Sequence, residues 1–180
     1  MKKLIIHPRD RTTKFLSKAY ENLDNVTVVT DGLSKDHVRG LVEEHDQVMM
    51  MGHGSPSGLF SVGQFYPTFN GCIVDGSFAD LLAKKDNSIF IWCNADMFTE
   101  QHNLQGFYTG MFVSDTTEAY LTGLGCVGKD EIDESNNAFA KIVGEATAND
   151  LPMTFVFNEY GKLAERNAVA QYNHERLYVH

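Results

Sequence analysis

Apolar and polar positions are arranged in blocks that predict strands and helices in turn along the first half of the chain. Short apolar or β-branched runs that end at turn residues are typical of buried strands. Such runs occupy residues 4–6, 26–30, 48–51 and 88–92. Between them, apolar residues recur at helical spacing in segments 11–23, 34–44 and 77–84. Strands separated by helices of this length are typical of βαβ units, whose strands run parallel.

The second half continues the pattern with further candidate elements. Strands are predicted at residues 110–113 and 154–157, and helices at 116–121, 134–148 and 162–172. Segment 59–69, which is rich in turn residues and aromatics, predicts a hairpin or a lid. No repeat, low-complexity tract or linker interrupts the chain. We therefore expect an α/β fold in one domain, residues 1–180, with a mainly parallel sheet of about six strands.

Charge, cysteine content and the N-terminal sequence limit which partners, cofactors and cellular location are expected. Fifteen Lys and Arg stand against 24 Asp and Glu in 180 residues, a net charge of −9, which disfavours nucleic acid and anionic membrane as partners. The three cysteines form no CxxC or Cys/His ladder, so neither a disulfide framework nor a zinc site is indicated, and no cofactor is expected. The N-terminus lacks the apolar run of a signal peptide. These features predict a cytoplasmic protein.

Two reactive side chains follow two of the predicted strands. Gly52-His53-Gly54 comes after the strand at 48–51, and Cys93-Asn94-Ala95 comes after the strand at 88–92. In open parallel sheets, ligands bind outside the carboxyl ends of the strands. If these strands are parallel neighbours, an imidazole and a thiol meet there, which is the minimum for catalysis by a thiolate. Each residue alone is more often structural: a buried cysteine in a core, or a histidine in a turn.

The order of these motifs resembles that of a known family. An apolar strand, then the residues G-H-G-S-x-x-G-L from Gly52 to Leu59, then a second apolar strand that ends in Cys93, is similar to the caspase-like cysteine peptidases, which include caspases, gingipains, legumain, separase and the CHAT domains. The resemblance covers roughly residues 1–160. It implies a three-layer caspase-like sandwich, a nucleophile at Cys93, a general acid and base at His53, and an oxyanion site at Gly54.

The same resemblance implies a pocket for the substrate side chain. Residues that end the strand after the nucleophile help to form it, which indicates Ser114 and Asp115. An inward-facing Asp115 would favour Arg or Lys in the substrate, whereas either residue can instead cap the helix that follows. Trp92 stands where the family usually has a small residue, and its indole either enters the core or fills part of the cleft. His7, after the first strand, is a ligand, an orienting group or a loop histidine beside Pro8.

These observations favour a cysteine endopeptidase that hydrolyses peptides or proteins through a thioester. The alternative is a non-catalytic protein of the same fold that binds a peptide, a partner protein or a small ligand in the equivalent cleft. A nucleotide-binding reading rests on GLGCVGKD, from Gly123 to Asp130, but this segment follows a predicted helix and has Asp130 where a hydroxyl is required. Caspase relatives pair through their last strand, which indicates a homodimer through residues 154–157, whereas the flanking Pro152 can equally protect this edge.

Overall fold

The computed structural model describes residues 1–66, 71–85 and 87–180. These residues divide into two compact units. The first unit comprises Met1–Asp10, Asn25–Gly110 and Tyr178–His180, and the second comprises Arg11–Asp24 and Met111–Leu177. Within the described part of the chain, no helix is both long enough and apolar enough to cross a membrane.

The first unit is built on a six-stranded sheet. Its strands are β1 (Lys3–Ile6), β2 (Val26–Val29), β3 (Gln47–Met51), β7 (Ile89–Ile91), β8 (Phe107–Thr109) and β9 (Leu177–Val179). Their order is β2-β1-β3-β7-β8-β9. The pairings from β2 through β8 are parallel. Beyond β8, Gly106 and His180 exchange two backbone hydrogen bonds of 3.0 Å, a pattern of antiparallel pairing. The predicted α/β fold with a mainly parallel six-stranded sheet is confirmed.

Helices and a small sheet complete the first unit. The helices are α1 (Lys35–Glu44), α2 (Ala79–Leu82) and α3 (Ala95–Gln101), and the small antiparallel sheet contains β4 (Gly54–Ser55), β5 (Gly58–Phe60) and β6 (Cys72–Asp75). Alternate residues of the central strands, such as Met50 and Phe90, join one apolar cluster with Val38 of α1 and Phe78. Of the segment 59–69, predicted as a hairpin or a lid, residues 59 and 60 belong to β5, which pairs antiparallel with β6, and residues 67–70 lie outside the described part.

The second unit is helical. It contains a 3-10 helix at Lys14–Ala19 and the helices α4 (Thr116–Leu121), α5 (Lys129–Ala148), α6 (Thr154–Ala164) and α7 (Ala168–His174). A cluster of buried apolar residues connects α4, α5 and α7 through Ala119, Ile132 and Val169. In the same unit the Tyr160 hydroxyl lies 2.6 Å from Ser135 Oγ, and burial raises the pKa of Tyr160 to about 12.

Two predicted strands are wrong. Residues 154–157 begin α6, because Val156, Tyr160 and Leu163 are buried at helical spacing, a pattern that the four residues TFVF alone do not reveal. The edge that they were expected to offer to a second copy is therefore absent. Residues 110–113 are not a strand either: the buried Asn173 side chain bonds both the N–H and the C=O of Val113, so neither is available to a ladder.

Several helix boundaries also differ from the prediction. Segment 11–23 contains only the short 3-10 helix, and the predicted helix at 162–172 is interrupted where Asn167 caps the start of α7 by accepting from Ala170 N. α3 and β9 were not predicted. The helix at 34–44 is present as α1, with the Ser34 side chain as its cap.

Candidate active site

His53 and Cys93 leave the sheet at equivalent points of two neighbouring strands. β3 and β7 are parallel neighbours, and Met51 is the register partner of Ile91. The ladder continues one residue further, where Gly52 N donates to Ile91 O at 3.0 Å. His53 lies two residues beyond Met51, and Cys93 lies two residues beyond Ile91. Since neighbouring strands are about 4.8 Å apart, the structure brings the two predicted catalytic residues to adjacent strand ends.

Cys93 occupies a tight connection between a strand and a helix. β7 ends at Ile91, and α3 begins at Ala95. Asn94 between them has a φ of +64°, in the left-handed region that asparagine tolerates better than most residues. Thr109 Oγ1 donates to Trp92 O at 2.8 Å and so fixes the start of this turn. The Cys93 side chain is half-buried, and it lies at the N-terminal end of α3, where the helix dipole stabilises negative charge.

Trp92 lies in the core and is only 1% exposed. Its ring makes edge contacts with Phe90 and Phe98, and its Nε1 donates to Ser55 O at 3.1 Å. The first of the two predicted roles, a core position, is therefore the observed one. Trp92 connects the two candidate catalytic segments, because it precedes Cys93 in sequence and bonds a residue of the loop that carries His53.

Gly54 is required by this packing. A Cβ atom at position 54 would lie 2.5 Å from Trp92 Cγ and 2.7 Å from Gly58 O, closer than real Cβ atoms approach. Phe60 N donates to His53 O at 2.8 Å, so the next pair along the antiparallel ladder, Gly54 with Leu59, is a non-hydrogen-bonded pair. The N–H of Gly54 therefore points away from β5 and takes no part in that ladder.

Asp10 contacts His53, and sequence reasoning missed it as a site residue. Asp10 Oδ2 lies 3.0 Å from His53 Nε2, and both side chains are partly exposed. An aspartate directly before the predicted helix at 11–23 is more typical of a helix cap. The Asp10 carboxylate beside Nε2 favours the imidazole tautomer that carries its proton on that nitrogen. His7, the predicted alternative orienting group, is fully buried.

The strand order explains why Asp10 and His53 meet. The chain passes from β1 to β2 on one side and then returns to place β3 on the other side of β1. The strand order therefore reverses between β1 and β3, and ligands of open α/β sheets bind at such a switch point. Asp10 follows β1 and His53 follows β3. The signal available in the sequence was an acidic residue four positions after the first strand.

The other two cysteines differ from Cys93. Cys72 is buried in β6, and burial raises the pKa of its thiol. Cys126 is exposed in the second unit, in the loop before α5. No group of three or more His, Cys, Asp and Glu side chains among the described residues is arranged to hold a metal ion.

Ser114 and Asp115 lie in the second unit, at the start of α4. Asp115 caps this helix, since its Oδ1 accepts from Glu118 N at 2.8 Å. Ser114 donates from both its backbone N and its Oγ to Glu118 Oε2. Of the two predicted roles, capping is observed; both residues also line a cavity within the second unit. Their role toward a substrate side chain stays a prediction.

The glycine-rich segment from Gly123 to Asp130 does not form a phosphate loop of the usual kind. It follows α4 rather than a strand, and Gly128 is the N-cap of α5. The phosphate loop requires a strand before it and a hydroxyl after its lysine.

Comparisons of the chain with protein-family models, with curated proteins and with solved structures return no match.

Proposed function

We propose that the protein is a cysteine peptidase of the caspase-like kind, with Cys93 as nucleophile and His53 as general acid and base. The observation that carries the proposal is the equal offset of the two residues from the register pair Met51 and Ile91. A nucleophile and a base at adjacent strand ends, with the base oriented by a third group, is the arrangement common to unrelated hydrolases.

Each described residue of the site has a part in the reaction. Nδ1 of His53 takes the proton from the Cys93 thiol, and the sulfur forms a bond to the carbonyl carbon of the substrate. The negative charge on the carbonyl oxygen is held by the outward N–H of Gly54. The imidazolium then gives its proton to the leaving amine, so that the C–N bond breaks and a thioester remains. A water molecule that His53 deprotonates releases the acid product and restores the thiol.

Asp10 positions the base. A carboxylate that accepts from Nε2–H holds the imidazole in the tautomer whose Nδ1 is unprotonated, and it stabilises the imidazolium that forms during the reaction. The Asp10 Oδ2 to His53 Nε2 distance of 3.0 Å suits this hydrogen bond.

A pooled peptide library tests the proposal. Wild type and Cys93→Ala are incubated with the pool, and new termini are scored by mass spectrometry. We expect cleavage by wild type and a loss of several orders of magnitude in Cys93→Ala. Cys126→Ala, which removes the exposed cysteine of the second unit, is the matched control and should cleave as wild type does.

The same experiment distinguishes the peptidase from the non-catalytic alternative. A non-catalytic protein of this fold would bind peptides from the pool without producing new termini in any variant. Absence of cleavage together with peptide capture by both wild type and Cys93→Ala would replace the peptidase proposal with the binding one.

A further inference from the structure

A cavity of about 540 Å³ lies within the second unit. Its walls come from the segment around Arg11 and Phe15, from the start of α4 at Ser114 and Asp115, and from one face of α5 that includes Asn136. This volume is in the range of about 300–1,000 Å³ that is usual for small-molecule sites. The proposed peptidase chemistry makes no use of the cavity as a whole.

A residue of the inner wall, Asn136, carries a buried acceptor without a partner among the described residues. Asn136 is 4% exposed, and its Nδ2 donates to Ser114 O at 2.8 Å. That bond fixes the orientation of the amide, because the opposite orientation would place two carbonyl oxygens together. Asn136 Oδ1 is buried and has no hydrogen-bond partner among the described residues. Buried polar atoms nearly always have a hydrogen-bond partner. We therefore expect this oxygen to accept a hydrogen bond from a ligand or a water molecule.

The cavity also carries one cation and one anion that are not paired. Within the described residues, Arg11 has no ion-pair partner, and the Asp115 carboxylate, which accepts the capping bond from Glu118 N, has none either. Lys129 and Asp133, by contrast, pair with each other. A ligand that satisfies both Arg11 and Asp115 must therefore bear both signs of charge. Phe15 and the buried Ile132 provide apolar wall between the polar groups.

We propose that this cavity binds a small zwitterion, namely an amino acid or a short peptide. The ligand carboxylate pairs with Arg11, its ammonium faces Asp115, and an N–H group donates to Asn136 Oδ1. The lining is held in place before the ligand arrives, because Asp115 caps α4 and Ser114 is fixed by Glu118 and Asn136. Such preorganisation lowers the entropic cost of binding. The inference is independent of peptidase activity.

Binding is measured on the full chain carrying Cys93→Ala, so that no probe is turned over. The probes are the L-amino acids in turn and the dipeptide Ala-Leu, followed in backbone amide NMR spectra. We expect saturable shifts at residues that line the cavity. Two analogues of leucine each lack one of its charged groups: isocaproate lacks the ammonium, and isoamylamine lacks the carboxylate. Each of these single-charge probes should bind at least about tenfold more weakly than leucine.

Two charge-removing variants locate the site. Arg11→Gln and Asp115→Asn should each weaken amino-acid binding by about tenfold or more, and Asp115→Asn keeps the helix cap because asparagine is an equally good N-cap. Lys14→Gln and Asp130→Asn, exposed neighbours that do not line the cavity, are the matched controls. The proposal is overturned if no probe produces saturable shifts, if isocaproate binds as tightly as leucine, or if the controls weaken binding as much as the cavity variants.

Discussion

The indole of Trp92 occupies the space that a side chain at position 54 would need: Trp92 Cγ lies 2.5 Å from the place of a Cβ atom on Gly54. Because Trp92 precedes Cys93 and Gly54 follows His53, this contact packs the two candidate catalytic segments against each other. The absence of a side chain after the histidine is thus explained by packing.

Gly54→Ala is expected to destabilise the protein by about 1–3 kcal/mol, the usual cost of forcing a methyl group into a packed core. Urea unfolding followed by circular dichroism measures the change. Gly40→Ala is the matched control, since no atom lies within 4 Å of its added Cβ and the residue is inside α1. Alanine there should raise stability by about 1 kcal/mol.

A double-mutant cycle isolates the contact between the two residues. In a Trp92→Ala background the contact with the indole is gone and only the one with Gly58 O remains, so Gly54→Ala should cost less than it does in wild type. Equal costs in the two backgrounds would mean that Trp92 does not exclude the methyl group.

Asp10→Asn is expected to lower kcat by about 10²–10⁴-fold, the range for loss of a correctly held general acid and base. The asparagine amide can donate to Nε2, which stabilises the wrong tautomer of His53. Nitrogen chemical shifts of the labelled ring report the tautomer directly. Asp31→Asn, at an exposed aspartate of the same unit, should leave both readouts unchanged. An unchanged tautomer and rate in Asp10→Asn would contradict the positioning role.

Tyr160 should make stability fall in alkaline solution. Burial raises its pKa to about 12 from an ordinary value of 10.0. The unfolded state therefore releases this proton first, so the stabilisation is complete below pH 10 and is lost as pH rises toward 12. The free energy of unfolding, measured by urea across this range, should decrease less steeply in Tyr160→Phe. Tyr120 is 75% exposed, so in Tyr120→Phe the free energy of unfolding should decrease with pH as steeply as in wild type.

The sheet was predictable because its central strands are continuous apolar runs bounded by turn residues. Residues 48–51 and 88–92 are buried on both faces, so their pattern depends little on the rest of the fold. The order of motifs along these strands also brought His53 and Cys93 to one edge. The prediction of a strand at 154–157 was wrong because four apolar or β-branched residues fit both the two-residue period of a strand and the 3.6-residue period of a helix. Only the later Tyr160 and Leu163 reveal the helical period.

The contact of Asp10 with His53 could not be predicted from the sequence, for a different reason. Its role depends on β1 and β3 being neighbours with reversed order between them, and strand order is a property of the whole chain. The position of Val113 likewise depends on Asn173, a partner 60 residues away. Long-range pairings of this kind leave no local mark in the sequence.

The reactivity of Cys93 tests the central claim most directly. The folded protein is treated with iodoacetamide at neutral pH, and the labelling rate of each cysteine is read by mass spectrometry. A neighbouring imidazole stabilises a thiolate, so Cys93 should react faster than the exposed Cys126, and the buried Cys72, whose thiol has a raised pKa, should react slowest. In His53→Ala the rate at Cys93 should fall to that of Cys126 or below. If Cys93 reacts no faster than Cys126 in wild type, or its rate is unchanged in His53→Ala, the two residues do not form a dyad.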